Sequence, residues 1–310
     1  MKTLQSNEQV SGNLAAVGAY TLWGVMPIYW RLIEDASPQE VLAHRIVWSF
    51  VFMCLVLIGT KKLNNLVTEI KVLLAEKRRL FILIAASVFI TCNWYLYIWA
   101  VANAHIVQAS LGYYINPLIS VLFGVLFLKE KLAKVQVVSV VLAFIGVAFL
   151  TIQAGVFPWI SLLLATSFGL YGLLKKLVRL GAMVGLTVET LITMPFSLLY
   201  IFTLQADGGS SFHLSNLSQS LLLMGAGVVT AVPLLLFATG ANRISLAMLG
   251  FFQYIAPTIM LILGTVFYGE PFNQDHLFAF LLIWVSLLLF TLSRTRWFVR
   301  LQNKHVSQSS

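Results

Sequence analysis

Apolar runs long enough to cross a bilayer recur along the whole chain, at about residues 12–33, 38–58, 80–102, 106–128, 134–151, 156–177, 183–204, 217–239, 245–268 and 274–293. Each lies near the roughly 20 residues that a spanning helix needs. Pro, Gly or charge clusters punctuate most boundaries, and the tightest join is at 102–106 (ANAHI). The pattern predicts an all-α integral membrane protein with ten transmembrane helices. The 59–79 connection has its own period: Leu63, Leu66, Val67, Ile70, Leu73 and Leu74 recur at helical spacing beside Lys71, Lys77, Arg78 and Arg79. It reads either as a short amphipathic helix on a membrane surface or as a plain connector.

Composition narrows the class. Of 310 residues, 59% are hydrophobic and 10% charged, and mean hydropathy is +0.90. A soluble domain carries about 25% charge, so water-soluble enzymes, disulfide scaffolds and disordered regulators are excluded. The net charge of +9 does not indicate nucleic acid, because the basic residues sit in short tracts between apolar runs. With the N-terminus inside, the inward-facing segments hold 18 Lys and Arg and the outward-facing ones only Arg31. By the positive-inside rule both termini are expected in the cytoplasm. Cys54 and Cys92 fall within apolar runs and read as apolar fillers. Residues 1–11 are polar with one Lys, so no cleavable signal peptide is expected.

The chain also repeats itself. Residues 116–130 (NPLISVLFGVLFLKE) resemble 256–270 (APTIMLILGTVFYGE), with Pro117, Gly124, Phe127 and Glu130 matching Pro257, Gly264, Phe267 and Glu270. Upstream, ASLG at 109–112 recurs as AMLG at 247–250, two residues closer in register. The repeat unit is five spans, giving halves at 1–152 and 153–310. An odd unit inverts its second copy in the membrane, the architecture of carriers that alternate access around a midplane site.

These halves resemble the EamA repeats of the drug/metabolite transporter superfamily, and most closely RarD-like proteins. The strings that carry the likeness are AYTLWGVMPIYWRLI, EVLAHRIVWSF, NWYLYIWAV, ASLGYYINPL, YGLLKK, LGFFQYIAPTIM and FYGE, in order over residues 12–293. The resemblance implies a multi-pass carrier of small metabolites or drugs in the bacterial inner membrane, with export favoured. It also implies a cavity surrounded by spans one, three, four, six, eight and nine, with the lipid bilayer and a small-molecule substrate as partners.

The residues themselves suggest where a solute would sit. Pro117 and Pro257 lie about 11 residues into their spans, where each removes a backbone hydrogen bond. With Gly112 and Gly250 they are candidate hinges. Trp23, Asn93, Trp94, Tyr97, Tyr113, Asn116, Tyr171, Gln253 and Tyr254 cluster around these positions and are candidate substrate-binding residues. Tyr114 is also central, whereas Tyr29, Trp30, Trp159 and Trp297 fit interfacial belts. His44, Arg45 and Glu189 are ionisable groups inside spans. His44 and Glu189 are candidates for proton coupling, while Arg45 either serves function or snorkels to the outer interface. Glu130 and Glu270 read as caps for the helix that follows each. No catalytic constellation, metal-ligand spacing or nucleotide loop is visible, and no cofactor is expected. An intramembrane enzyme, receptor or assembly protein is the alternative to a carrier. Without a midplane Lys/Arg cluster for phosphate, a small neutral or zwitterionic, partly apolar solute is the expected cargo.

Overall fold

The computed structural model describes residues 2–33, 36–103, 105–155, 157–213, 215–267 and 274–293, with side chains from Asn7 onward except at 101, 102, 106, 275 and 276. The described residues are helical almost throughout. In chain order the helices are α1 (Lys2–Trp30), α2 (Pro38–Gly59), α3 (Leu63–Ala75), α4 (Lys77–Ala102), α5 (Ile106–Leu128), α6 (Lys134–Gln153), α7 (Trp159–Val178), α8 (Ala182–Ala206), α9 (Leu217–Arg243), α10 (Leu246–Phe252), α11 (Ile255–Ile262) and α12 (Gln274–Leu292). A π-helical turn, Leu263–Phe267, continues α11. Hydrocarbon offers the backbone no partner, so an apolar chain must pair its own N–H and C=O groups, and the helix does so within one segment. Eight of the described helical segments are long and apolar enough to span, the broken α10–α11 stretch counting as one. The apolar part of α12, Leu277–Leu292, is shorter. The apolar stretch of α1 is diluted by Asn13, Thr21, Gly and aromatic residues.

Local signals set several ends. Ser37 caps α2 by accepting from the Glu40 amide, with Pro38 at the first helical position. Asn216 and Ser245 cap α9 and α10 in the same way. After α2, α5 and α7 the chain turns through Lys61, Lys129 and Arg179 at φ 56°, 53° and 53°. Each puts a cation near a helix C-terminus, where the dipole favours it. The amphipathic pattern at 63–75 is indeed a helix. Leu73 is buried, and Leu66 and Ile70 pack with it against Leu83 of α4, Val184 and Val188 of α8 and neighbouring residues.

The bundle is held by α5 on α7, α1 on α9, α6 on α12, α4 on α7, α2 on α8 and α9, α5 on α10, and α1 on α11. Small residues allow the closest of these approaches. A Cβ on Gly227 of α9 would collide with the Trp48 backbone of α2, and one on Gly250 would lie 2.8 Å from Ser120 Cβ of α5. Close small-residue packing replaces the hydrophobic drive that lipid does not supply.

Candidate substrate cavity

Cross-links at the two ends of the bundle leave a cavity between them. At the far end, where α1 finishes, Glu40 Oε1 accepts from Ser210 Oγ and the Ser211 amide, both at 2.8 Å. There Tyr29 also donates to the Leu222 carbonyl. At the near end, where α5 and α7 finish, Glu130 accepts from the amides of Leu246 (2.7 Å) and Ala247 (2.9 Å). Lys176 donates to the Ala241 and Ile244 carbonyls, and Asn242 to the Leu180 carbonyl. Glu130 therefore is a cap, as its sequence position suggests, but of α10 and not of α6, the helix that follows it. Glu270, its repeat counterpart, and Trp297 lie outside the described residues.

The cavity, of about 190 Å³, occupies the far half of the bundle. The sequence candidates Trp23, Asn93, Trp94, Tyr97, Gly112, Tyr113, Asn116 and Gln253 all line it. They come from α1, α4, α5 and the α10–α11 junction, brought together because their polar and aromatic faces converge where the helices are kept apart. Phe168 and Leu164 of α7 complete the wall. Span two reaches the cavity through Arg45, whereas no residue of α9 lines it. Its floor is aromatic. Trp23 and Phe168 line it and contact each other at 5.9 Å, and beneath them, outside the lining, Phe237 of α9 meets both at 5.5–5.7 Å and Tyr171 stacks on Phe237 at 5.7 Å.

The polar groups differ in what they have left to offer. Asn93 donates through Nδ2 to the Leu164 carbonyl (2.8 Å) and to Ser167 Oγ (2.9 Å), so that nitrogen ties α4 to α7. Gln253 Oε1 accepts from Ser120 Oγ at 3.4 Å. Asn116 Oδ1 is buried and has no hydrogen-bond partner among the described residues. An acceptor in that condition is costly unless a ligand or water supplies a donor.

The two prolines behave differently. Helix α5 runs unbroken through Pro117. The chain before Pro257 breaks at Gln253–Tyr254, where the amides of Gln253, Tyr254 and Ala256 bond back only three residues. In each copy the missing proline N–H leaves the carbonyl four residues earlier without its helical donor. Those carbonyls belong to Tyr113 and Gln253, both cavity residues, and the Gln253 carbonyl accepts from the Ala256 amide instead. Gly112 and Gly250 are helical, and their lack of Cβ admits Leu164 and the Pro117 carbonyl respectively.

Two candidates lie elsewhere. Tyr171 is fully buried below the floor and donates to Glu189 Oε2 (3.2 Å). Tyr254 is fully buried against Phe251, away from the cavity, because the break turns Gln253 and not its neighbour towards α5. Tyr114 likewise turns outward, onto Phe280 of α12.

Several participants escape the sequence reading. Lys175, counted there among the loop bases, lies inside α7, 8% exposed, and its Nζ is 2.7 Å from Glu189 Oε1. Its signal was the one-turn spacing of Tyr171 and Lys175. Glu40 is buried at 1% and lies 4.0 Å from His44 one turn on, with the Phe212 ring stacked on that imidazole. Arg45 neither snorkels nor pairs with Glu189. Its guanidinium carbon lies over the rings of Trp30 (4.7 Å) and Trp94 (4.9 Å), and Nε donates to Thr230 Oγ1. Trp30, read from the sequence as an interfacial residue, thus also lines the cavity.

A helical bundle with several apolar spanning segments around an aromatic, amide-bearing cavity defines a multi-pass membrane protein of the transporter class. Residues 10–152 match the EamA-like transporter family. The uncharacterized transporter YojE of Bacillus subtilis (strain 168) is 46% identical over 297 residues, covering 95% of this chain and 98% of that protein. Protein RarD of Escherichia coli (strain K12) is 39% identical over 289 residues, covering 93% and 96%. The chloramphenicol-sensitive protein RarD of Pseudomonas aeruginosa is 27% identical over 278 residues, covering 90% and 92%. A solved crystal structure shares the fold with a TM-score of 0.71 at 17% identity, covering 91% of this chain and 98% of the other. The chain belongs to the EamA family as a RarD-like member, and it is a membrane transporter of the drug/metabolite superfamily.

Proposed function

We propose that this transporter is a secondary carrier of the bacterial cytoplasmic membrane, working by alternating access on small neutral or zwitterionic, partly apolar solutes. The observation that carries this reading is the far-half cavity, walled by indoles, phenols and amides and floored by packed aromatic rings. Aromatic walls take an apolar body, and the unpartnered Asn116 Oδ1 takes an N–H or O–H donor from the solute. Asn116, Gln253, Trp23, Trp94, Tyr97 and Tyr113 are the proposed contacts.

With both termini cytoplasmic, the near end is the inner side and the cavity faces outward. The ten-span count adds α1 and α12 to the apolar segments, and the halves are 1–152 and 153–310. Packing supports an internal two-fold relation. Exchanging α1 with α7, α2 with α8, α4 with α9, α5 with α10–α11 and α6 with α12 maps the contacts of α2 on α8, α5 on α10 and α6 on α12 onto themselves and each remaining principal contact onto another helix contact, that of α2 on α9 onto α4 on α8. Opening inward then requires Glu130 to release α10, and Gly112, Pro117, Gly250 and Pro257 are the proposed points of flexure. Export is favoured by the family likeness.

For coupling we place His44 and Glu189 as proton acceptors. Glu189 lines a small pocket below the cavity that shares Trp94 with it. Facilitated uniport is the rival, and flux under an imposed pH gradient in wild type and Glu189→Gln separates them. Gradient-insensitive wild-type flux removes proton coupling.

The decisive experiment is solute flux into proteoliposomes. Asn116→Ala and Gln253→Ala should each cut flux about tenfold, the worth of one lost hydrogen bond near 1.4 kcal/mol, with insertion and thermal stability near wild type. Unchanged flux per inserted molecule in both variants removes the site assignment.

A further inference from the structure

Arg45 is the feature of the cavity that a neutral solute leaves unused. It sits seven residues into α2, roughly 10 Å along the helix at 1.5 Å per residue. An ionised guanidinium at such depth is retained only where something compensates it. Two indole faces and one threonine do part of this here. Among the described residues, no carboxylate lies within ion-pair distance of it. Nor does either Nη nitrogen make a hydrogen bond among those residues. The neighbouring acids have other partners: Glu40 holds the α8–α9 loop, and Glu189 holds Lys175.

A guanidinium held between rings, with Nε engaged and its two Nη groups open on a cavity, is arranged to receive a planar anion edge-on. We propose that Arg45 is a specificity-determining residue that binds the carboxylate of the transported solute, so that the preferred cargo is an organic carboxylate with an aromatic or apolar body. Tyr97 and Tyr113, with ring centroids 5.8 Å apart, stand on the same cavity wall and supply phenolic donors nearby. A single cation suits one carboxylate and under-compensates a phosphate dianion. This inference rests on the cavity being the substrate site and adds to it a charge requirement.

The test uses the purified full chain in detergent. Binding of phenylalanine, 3-phenylpropionate and tryptophan is measured by isothermal titration beside their uncharged-end counterparts phenylalaninamide, 3-phenylpropanol and tryptophanol. The expectation is that the carboxylates bind at least about tenfold tighter than the matched amide or alcohols, as a charge-assisted bidentate pair implies. Arg45→Gln should erase that ratio while leaving the affinity of the uncharged 3-phenylpropanol unchanged. Arg45→Lys, which keeps the charge and loses the planar fork, should restore part of it. Because the readout is a ratio within one variant, a general loss of fold does not mimic the result. Equal affinity for carboxylates and their counterparts in wild type overturns the proposal, as does a ratio that survives Arg45→Gln. If 3-phenylpropanol binds as tightly as 3-phenylpropionate and Asn116→Ala weakens both, the cavity reading stands while the Arg45 assignment falls. If no probe of either kind binds, both fall.

Discussion

Lys175 and Glu189 show how a single residue changes meaning once its neighbours are known. In the sequence Lys175 belongs to a basic tract, LLKKLVR, that reads as the cytoplasmic end of a span. In the structure Lys176 continues that reading, reaching the carbonyls at the end of α9. Lys175, one position earlier on a helix, points about 100° away and meets Glu189. Periodicity alone does not show this, because the partner lies on α8 and its rotation about the helix axis is set by packing. Arg45 is a similar case: its placement within a span was legible, its seat between Trp30 and Trp94 was not. The buried pair yields a sharp expectation. Removing one member leaves an uncompensated charge and should destabilise by about 3 kcal/mol, whereas replacing both by apolar residues should cost much less. Lys175→Met and Glu189→Leu, singly and together, would be compared by unfolding in mixed micelles. A double variant as unstable as the sum of the singles contradicts this account.

At the scale of elements, the helices and their order were legible, eight of them as spanning segments, because lipid imposes one length and one composition on every segment that crosses it. The amphipathic period at 63–75 was legible for the same kind of reason. What α10 and α11 do was less so. The sequence treats Pro117 and Pro257 as equivalents, yet only the second lies just beyond a break. The second copy carries two extra residues between its small-residue run and its Pro. Accommodating them takes the chain out of register with the α-helix at Gln253–Tyr254, and the later π turn at Leu263–Phe267 is a further departure. The capping of α10 by Glu130 was half visible: the carboxylate's preference for a helix N-terminus is local physics, the choice of helix is tertiary. Two amides depend on that carboxylate. Glu130→Ala should therefore weaken the start of α10 by about 1 kcal/mol, seen as about fivefold faster hydrogen exchange at Leu246 and Ala247, with α12 unchanged. Equal protection in the variant shows that Glu130 does not hold α10.

The whole molecule interleaves helices α1–α6 with α7–α12. The principal contacts join one of α1–α6 to one of α7–α12, so neither group of helices forms a core by itself. The alternating access proposed above requires every later pass to have the orientation that the basic residues predict. The least apolar member, α1, is the critical one. If it crosses, Gln9 and Lys71 share a side, separated by α1 and α2; five further passes, α4 to α8, put Asp207 opposite. All three side chains are exposed. Ser210, one alternative outer position, is buried against Glu40 and unsuited to labelling. With Cys54 and Cys92 replaced, single cysteines at positions 9, 71 and 207 would be treated in intact cells with an impermeant maleimide, then again after permeabilisation. Labelling of 207 alone at first, and of 9 and 71 only afterwards, is the expected result. Labelling of 9 together with 207 would mean that α1 does not cross, and would remove both the ten-span count and the inversion built on it. Labelling of 9 and 71 without 207 would keep the count but reverse the protein, so that the cavity would open to the cytoplasm and the solute would be taken from inside.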